Sequence, residues 1–323
     1  MTSNEVASSL LASDDDGVAV CYLCLDGGLD EAGQPLRRDC ACRGTDAGFV
    51  HLSCFAEYAA AKSKQARNKD MKSFINPWET CPGCHQYYQN ELRIDIASEF
   101  VSFVRRQYPR DTQSQVESLF VKVCAFDSIL NMLKPVQKRE FGVTANVLLS
   151  FINRMKGDAT PLPMRYSQME GSAYGVLGRI ALNEGTEESA RRGVANFENQ
   201  LEVSKAIGDD QGIAATKFNI ADAKSKYDVG NSNEELLKAS QEMYELRIAK
   251  LGEGHEDTII AGKKYAIALQ KANRGDEARE LLTKLLSTSK QVLGPHHNTT
   301  KEVEFALQED DYDLLLLSFS APL

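Results

Sequence analysis

The chain has 323 residues, of which 42% are apolar and 26% charged, a composition typical of globular domains. This length allows two domains that each bury a core. The formal net charge of −9 argues against nucleic acid as the main partner, since phosphate binding needs a basic surface. No apolar run approaches the roughly 20 residues that span a bilayer, so no membrane span is predicted.

Residues 1–18 are polar and include the acidic run Asp14–Asp16, which predicts a disordered leader. The segment has neither a basic start nor a long apolar stretch, so we do not expect a secretory signal. We therefore expect a cytoplasmic protein, with a nuclear location left open. In a reducing compartment, cysteines are more often metal ligands than disulfide partners.

A zinc finger is predicted over residues 19–90. Potential metal ligands occur there in four close pairs, spaced C-x2-C, C-x-C, H-x2-C and C-x2-C. One tetrahedral zinc ion takes four sulfur or nitrogen donors, so that four pairs supply two sites. The sequence thus predicts two Zn²⁺ ions bound by Cys21, Cys24, Cys40, Cys42, His51, Cys54, Cys81 and Cys84.

A helix is predicted from His51 to Ala66, because this segment is rich in Ala, Lys, Glu and Gln and contains neither Gly nor Pro. Basic residues cluster at its end and just beyond it. We interpret them as part of a solvated insertion before the last ligand pair, with a patch for an acidic partner as the alternative. The cluster comprises Lys62, Lys64, Arg67, Lys69 and Lys72.

Residues 92–309 are predicted to be all-α. Apolar residues between Leu92 and Phe103 recur at helical spacing, and Pro109 ends that helix. Cys124 lies in an apolar run and is expected to be a buried core residue. Further helices are expected at about 112–133, 136–156, 165–184, 187–207, 211–228, 233–251, 256–274, 276–293 and 298–309.

A repeat is visible within this helical region. Residues 250–258 align with 292–300 at an offset of 42 residues, and both carry Leu-Gly shortly before a histidine. Glycine after the last apolar residue of a helix favours a left-handed cap. Gly208 occupies the same position in an earlier segment. A period of this size predicts a helical solenoid, with a generic bundle as the alternative. The histidines of the repeat are expected to be structural or surface residues: His255, His296 and His297.

Small and large residues also recur at matching offsets in the repeats. Ala190 and Phe197 in one segment correspond to Ala278 and Leu285 in another, as expected where small side chains let two helices approach closely. The tail, 310–323, contains four consecutive leucines. Whether the tail packs on the last helix or binds a partner stays open.

The ligand region resembles the RING-CH family of zinc fingers. CYLCLDG is similar to that family's CRICLEG, CACRGTDAGFVHLSC to CRCSGSLKYVHxxC, and CPGCHQYY to CELCKYRY. Eight residues separate Cys42 from His51, whereas PHD fingers have a short gap there. The resemblance implies an α+β cross-brace. One zinc would be held by Cys21, Cys24, His51 and Cys54, and the other by Cys40, Cys42, Cys81 and Cys84.

The resemblance also implies a ubiquitin-protein ligase. Such a ligase docks a ubiquitin-conjugating enzyme and positions its ubiquitin thioester for attack by a substrate lysine, with no covalent catalytic residue of its own. The docking positions of the family correspond to Leu23, Tyr58 and Pro82. Tyr58 stands where the family usually has Trp, and His85 stands where active RINGs commonly carry a cation.

The helical repeat resembles the tetratricopeptide (TPR) repeats of kinesin light chains, clearly over 211–309 and in degenerate form over 112–207. This resemblance implies a solenoid that recruits a protein substrate, whose identity the sequence does not reveal. Two alternatives remain. One is a non-catalytic scaffold in which both modules only bind protein partners, and the other is a PHD-like reader of chromatin peptides.

Overall fold

The structure is a computed structural model that describes residues 19–40, 42, 48–158, 162–227 and 233–308. The predicted leader and C-terminal tail lie outside these described residues. The chain divides into two compact units, Met1–Met155 and Lys156–Leu323. Among the described residues, no helix is long and apolar enough to cross a membrane.

The first unit contains the ligand region and the helices that follow it. In the ligand region, the described residues form two isolated antiparallel bridges, Arg37–Val50 and Thr80–Tyr87, and no longer strand. The strand component of the expected α+β finger is therefore not confirmed. The helices are α1 (Leu52–Ala66), α2 (Met71–Ile75), a 3-10 turn (Asn76–Trp78), α3 (Asn90–Gln107), α4 (Thr112–Asp127), a 3-10 turn (Leu130–Met132) and α5 (Pro135–Asp158).

The segment between Cys54 and Cys81 is only partly the solvated insertion predicted from the sequence. Its lysines are exposed, but Phe74, Ile75 and Trp78 are buried. The indole ring of Trp78 lies with its centroid 5.1 Å from that of Phe100 on α3. Burial of these aromatic side chains therefore anchors the segment to α3, a tertiary contact that charge composition does not reveal.

Helix α4 is shorter than the predicted span of 112–133. It ends at Asp127, and the chain turns before the short 3-10 segment. The Ser128 hydroxyl donates a hydrogen bond to the Ala125 carbonyl at 2.7 Å, a local bond of the kind that competes with helix continuation. Cys124 on this helix is half-buried, and burial raises the pKa of its thiol to about 12.

The second unit is a helical solenoid of TPR-like repeats, as predicted. Each helix packs against its neighbours in sequence, and α10 also packs on α12. This nearest-neighbour pattern is characteristic of repeat proteins. The helices are α6 (Met164–Leu182), α7 (Glu187–Ile207), α8 (Asp210–Lys226), α9 (Asn233–Leu251), α10 (Glu256–Lys271), α11 (Gly275–Val292) and α12 (Asn298–Gln308).

The left-handed glycine caps predicted for the repeat are confirmed. Gly208, Gly252 and Gly294 have φ values of 68°, 86° and 94°, the left-handed caps expected after α7, α9 and α11. The Nδ1 atoms of His255 and His297 accept hydrogen bonds from backbone N–H groups two residues later, at 3.2 and 3.3 Å. These two histidines therefore cap α10 and α12, in line with the structural role predicted for them.

Close helix approach in the repeats is also confirmed. Ala190, Phe197, Ala278 and Leu285 are all buried. At Gly178 on α6, a Cβ atom would lie only 2.4 Å from Cε1 of Phe197 on α7. The absence of a side chain at Gly178 thus allows these two helices to pack closely.

Candidate metal centre

The potential metal ligands form two groups in the first unit. Within each group, one ligand atom from every residue lies within 4.8 Å of the others. The pairs alternate along the chain, since the first and third pairs meet in one group and the second and fourth in the other. The first group is Cys21, Cys24, His51 and Cys54, and the second group is Cys40, Cys42, Cys81 and Cys84.

His51 is oriented as a metal ligand in the first group. It precedes α1 and is 2% exposed. Its Nε2 lies 2.8 Å from the carbonyl oxygen of Gly28. Because a carbonyl oxygen only accepts, Nε2 carries the proton, and the lone pair of Nδ1 faces the thiols. Such a bond from the second ring nitrogen orients metal-binding histidines in general, and the sequence did not identify its acceptor.

The distances within the groups fit a tetrahedral metal ion. His51 Nδ1 lies 3.4 Å from Cys24 Sγ and 3.8 Å from Cys54 Sγ, and Cys42 Sγ lies 3.6 Å from Cys81 Sγ. A tetrahedron with Zn–S bonds of about 2.3 Å has edges of roughly 3.8 Å between sulfurs. A disulfide would instead bring two sulfurs to about 2 Å. Both groups are therefore positioned to bind a metal ion.

The two C-x2-C turns, which contribute one pair to each group, have the same hydrogen bonding. The N–H groups of Cys21 and Cys81 donate to the carbonyl oxygens of Asp26 and Gln86, both at 2.9 Å. The chain therefore doubles back around each pair, so that both sulfurs of a pair point to one side of the turn. The other pair of the second group, Cys40 and Cys42, has the tighter C-x-C spacing.

Gly48 makes room for the second group. A Cβ atom at this position would lie 2.7 Å from Cys40 Sγ and 3.1 Å from Cys42 Cβ. Its φ of 85° is also one that residues with a side chain rarely adopt. Gly48 is a candidate site residue that sequence reasoning missed, although a glycine between the second and third ligand pairs was the available signal.

The thiols in these groups differ in acidity. Burial raises the pKa of Cys54 to about 12 and also raises that of Cys42, with neighbouring thiols adding to both effects. For Cys21, burial is outweighed by hydrogen bonds from backbone groups, which lower the pKa to about 7. The three sulfurs of the first group and the four of the second lie too close together for all of them to ionise without a compensating cation. A bound dication deprotonates coordinating thiols, so the donor chemistry fits a thiophilic metal such as zinc.

The predicted docking residues are all placed near the two groups in sequence, but their roles stay predictions. Leu23 and Pro82 lie inside the two C-x2-C turns and are half-buried, whereas His85 is exposed just after the last ligand. Tyr58 is half-buried on α1, with its ring centroid 6.4 Å from that of Phe55.

An ion pair also tethers the ligand region to α3. Arg37, whose backbone pairs with that of Val50, donates through Nη1 to Oδ2 of Asp95 at 3.0 Å. Asn90 at the start of α3 donates to Asp39, the residue before Cys40, at 3.2 Å. These long-range contacts were not predictable, because no local pattern links residues more than 50 positions apart.

The chain matches no family model and no curated protein. Among solved structures it is similar to BtubC (BKLC) from P. vanneervenii, with a TM-score of 0.51 and 15% identity over 67% of this chain and 81% of that one. A Podosopora anserina protein of nearly identical TPR-like repeats, described as a kinesin light chain, has a TM-score of 0.45 and 13% identity over 73% of this chain and 97% of that one. At 15% identity, the similarity to BtubC shows the fold alone.

Proposed function

We propose that this protein is a RING-CH-type ubiquitin-protein ligase whose eight ligands hold two structural Zn²⁺ ions. The observation that carries the proposal is the alternation of ligand pairs between the two groups. Together with the local sequence resemblance, that alternation favours a cross-braced module over two independent zinc loops.

Zinc would supply stability to this module and no bond-making chemistry. The described ligand region has two isolated bridges and few buried apolar residues before α1, so its own core is small. Structural zinc contributes about 10–16 kcal/mol of apparent binding energy in small fingers, far more than such a core can supply. In this proposal the first group binds one ion through three thiolates and His51 Nδ1, and the second group binds the other through four thiolates.

Transfer of ubiquitin would proceed by positioning. The conjugating enzyme carries ubiquitin on its own cysteine as a thioester, and it docks on Leu23, Tyr58 and Pro82. His85 adjoins the bound ubiquitin. A substrate lysine held on the solenoid then attacks the thioester carbonyl, forming an isopeptide bond and releasing the thiol of the conjugating enzyme. Because both modules belong to one chain, the effective concentration of that lysine is raised.

A panel of ubiquitin-conjugating enzymes tests the proposal. Mixing zinc-loaded protein with ubiquitin, activating enzyme and each panel member is expected to give autoubiquitination with at least one of them. Leu23→Ala is expected to abolish it, while Leu251→Ala, which truncates a leucine 37% exposed on α9, leaves it unchanged. Inactivity with every panel member, or full activity of Leu23→Ala, argues against a ligase.

Metal analysis tests the zinc sites separately. We expect two zinc ions per chain and a loss of one or both in Cys40→Ser. A stoichiometry of one or less contradicts the cross-braced arrangement.

The second candidate function is a non-catalytic scaffold. The TPR-like solenoid supports it, since such solenoids present extended surfaces to protein partners. Two zinc ions together with no detectable binding of any conjugating enzyme favour the scaffold.

A further inference from the structure

A cleft lies in the first unit, next to the last ligand pair. Its volume of about 600 Å³ falls within the roughly 300–1,000 Å³ of typical small-molecule sites. Three stretches of the chain line it: residues 85–90, which lead into α3, Arg93 on α3, and Ser128 and Ile129 after α4. None of the eight metal ligands is among the lining residues, so the cleft is distinct from both metal groups.

The lining of this cleft is polar and carries no negative charge. Among the described residues that line it, none is acidic, whereas the chain as a whole has 46 acidic residues. Glu91 and Asp127 adjoin lining residues in the sequence, but neither lines the cleft. Gln86, Gln89 and Asn90 do line it, and a carboxamide can both donate and accept hydrogen bonds. The lining therefore favours a neutral or anionic ligand over a cation.

Arg93 is the only permanent cation among the described lining residues, and no described carboxylate forms an ion pair with it. Three other half-buried arginines are each held by an aspartate. These pairs are Arg37–Asp95, Arg67–Asp111 and Arg247–Asp257. The Arg93 guanidinium instead lies 5.4 Å from the centroid of the Tyr87 ring. Such a contact with an aromatic ring leaves guanidinium N–H groups available to an anion.

The N-terminus of α3 adds a partial positive charge to the cleft. Gln89 is the N-cap residue of this helix and lines the cleft, and no side chain caps the helix there. The N–H groups at the start of a helix favour negative charge nearby. This partial charge has the same sign as the full charge of Arg93, which makes the larger contribution.

We propose that the cleft binds an oxyanion, either a carboxylate or a phosphate group, which pairs with Arg93 beside Tyr87. An arginine can donate two parallel hydrogen bonds to either group, and such charge-assisted bonds are stronger than neutral ones. The carboxamides of the lining supply further hydrogen bonds to the polar part of the same ligand. This proposal is independent of the ligase function.

Three small aromatic molecules test the proposal: phenyl phosphate, benzoate and the neutral analogue benzamide. Saturation-transfer NMR and isothermal titration calorimetry measure the binding of each to the full zinc-loaded chain at millimolar concentration. We expect at least one of the two oxyanions to bind and benzamide not to bind. The oxyanion with the higher affinity then identifies the ligand as a phosphate or a carboxylate.

Variants of Arg93 show whether the oxyanion binds in this cleft. Arg93→Gln is expected to weaken binding about tenfold or more, because it removes the charge and keeps only an amide. Arg93→Lys should have an intermediate affinity, since lysine keeps the charge but lacks the planar fork. The matched control is Arg105→Gln, at an exposed position on the same helix, which should bind like the wild type. Zinc content and helicity are measured for every variant.

The amide resonances of the wild type give a second measurement that needs no variant. When the oxyanion is added, the largest shifts are expected from residues 85–93 and from Ser128. Binding of neither oxyanion, or largest shifts elsewhere in the chain, overturns the proposal.

The variants and the neutral probe supply further outcomes that would overturn the proposal. Unchanged affinity of Arg93→Gln means that the oxyanion binds elsewhere. Equal weakening by Arg105→Gln means that the effect reflects net charge. Binding of benzamide as tight as that of the oxyanions means that the aromatic ring, and not the anion, is recognised.

Discussion

Leu25 and His85 occupy the same position in the two C-x2-C turns, and both have left-handed backbone, with φ values of 65° and 58°. In each turn the N–H of this residue donates to the carbonyl oxygen of the first cysteine, Cys21 or Cys81, at 2.8 and 2.9 Å. Residues with a side chain adopt this conformation at a cost of roughly 1–2 kcal/mol. The geometry that directs both cysteines of a pair to one ion therefore holds two residues in strained conformations.

Replacing Leu25 with glycine is expected to stabilise the zinc-loaded first unit by about 1 kcal/mol, because glycine adopts a positive φ without steric cost. The leucine is 74% exposed, so its removal loses little packing. Chemical denaturation with zinc present measures the effect. Leu25→Ala is the control, since it removes the same side chain but keeps the strain, and equal stability of the two variants would contradict the explanation.

Gly48→Ala is expected to disrupt the second metal group, because the new methyl group would overlap Cys40 Sγ at a strained backbone position. We expect the chain to retain about one zinc equivalent fewer than wild type during dialysis against a weak chelator. Gly83→Ala is the matched control, since its Cβ would lie 3.4 Å from Cys42 Sγ, an ordinary contact. Full zinc retention by Gly48→Ala would show that the loop adapts.

Ser63→Ala is expected to destabilise the first unit by roughly 1–3 kcal/mol. The Ser63 hydroxyl accepts a hydrogen bond from Trp78 Nε1 and donates one to the Phe74 carbonyl, each at 2.7 Å. Its removal leaves two buried polar groups unpaired. The midpoint of urea denaturation measures the loss. Ser73→Ala on α2 is the comparison, since it removes a hydroxyl whose hydrogen bond to Asp70 is exposed to solvent. A loss no larger than that of Ser73→Ala would mean that water replaces the hydroxyl.

His297→Ala is expected to lower the stability of the second unit by about 1 kcal/mol, because the cap on α12 is lost. His297→Asp should retain most of the stability, since a carboxylate accepts the same bond from the N–H of Thr299. Thermal unfolding followed by circular dichroism distinguishes the two variants. If alanine and aspartate behave alike, the hydrogen bond does not contribute to stability.

Lys264 is expected to make the second unit more stable at alkaline pH. Burial lowers its pKa from 10.5 to about 8; Asp222 opposes this shift, and Lys263, Arg179 and Arg247 add to it. The unfolded chain thus binds more protons than the folded chain between about pH 8 and 10.5. The free energy of unfolding should rise across that window. Below pH 8, the penalty for burying the charged ammonium group should be fully present.

The Lys264→Met variant is the direct test of this penalty. Lys264 Nζ lies 4.8 Å from the centroid of the Phe218 ring, and a thioether can occupy the same place. At pH 7 the variant should be more stable by on the order of 1–3 kcal/mol and should lose the alkaline rise. Lys205→Met, at an exposed position, controls for side-chain chemistry. Equal pH dependence of wild type and Lys264→Met would contradict the assignment.

The helices of the second unit were predictable because their signals are local. Apolar residues recur with the helical period, and Gly252 and Gly294 end helices in a conformation that glycine favours. The 67–80 segment was less predictable. Phe74 and Trp78 become buried only through contact with α3, and such contacts override local composition.

The sequence by itself determined which residues can serve as metal ligands, since pairs such as Cys21 and Cys24 are close along the chain in any fold. It also determined the repeat, because each helix pair buries its apolar face against the next. Spacing alone left open which pairs share an ion. The tertiary structure decided that grouping and placed Gly48 against Cys40, because both depend on the path of the chain between distant segments.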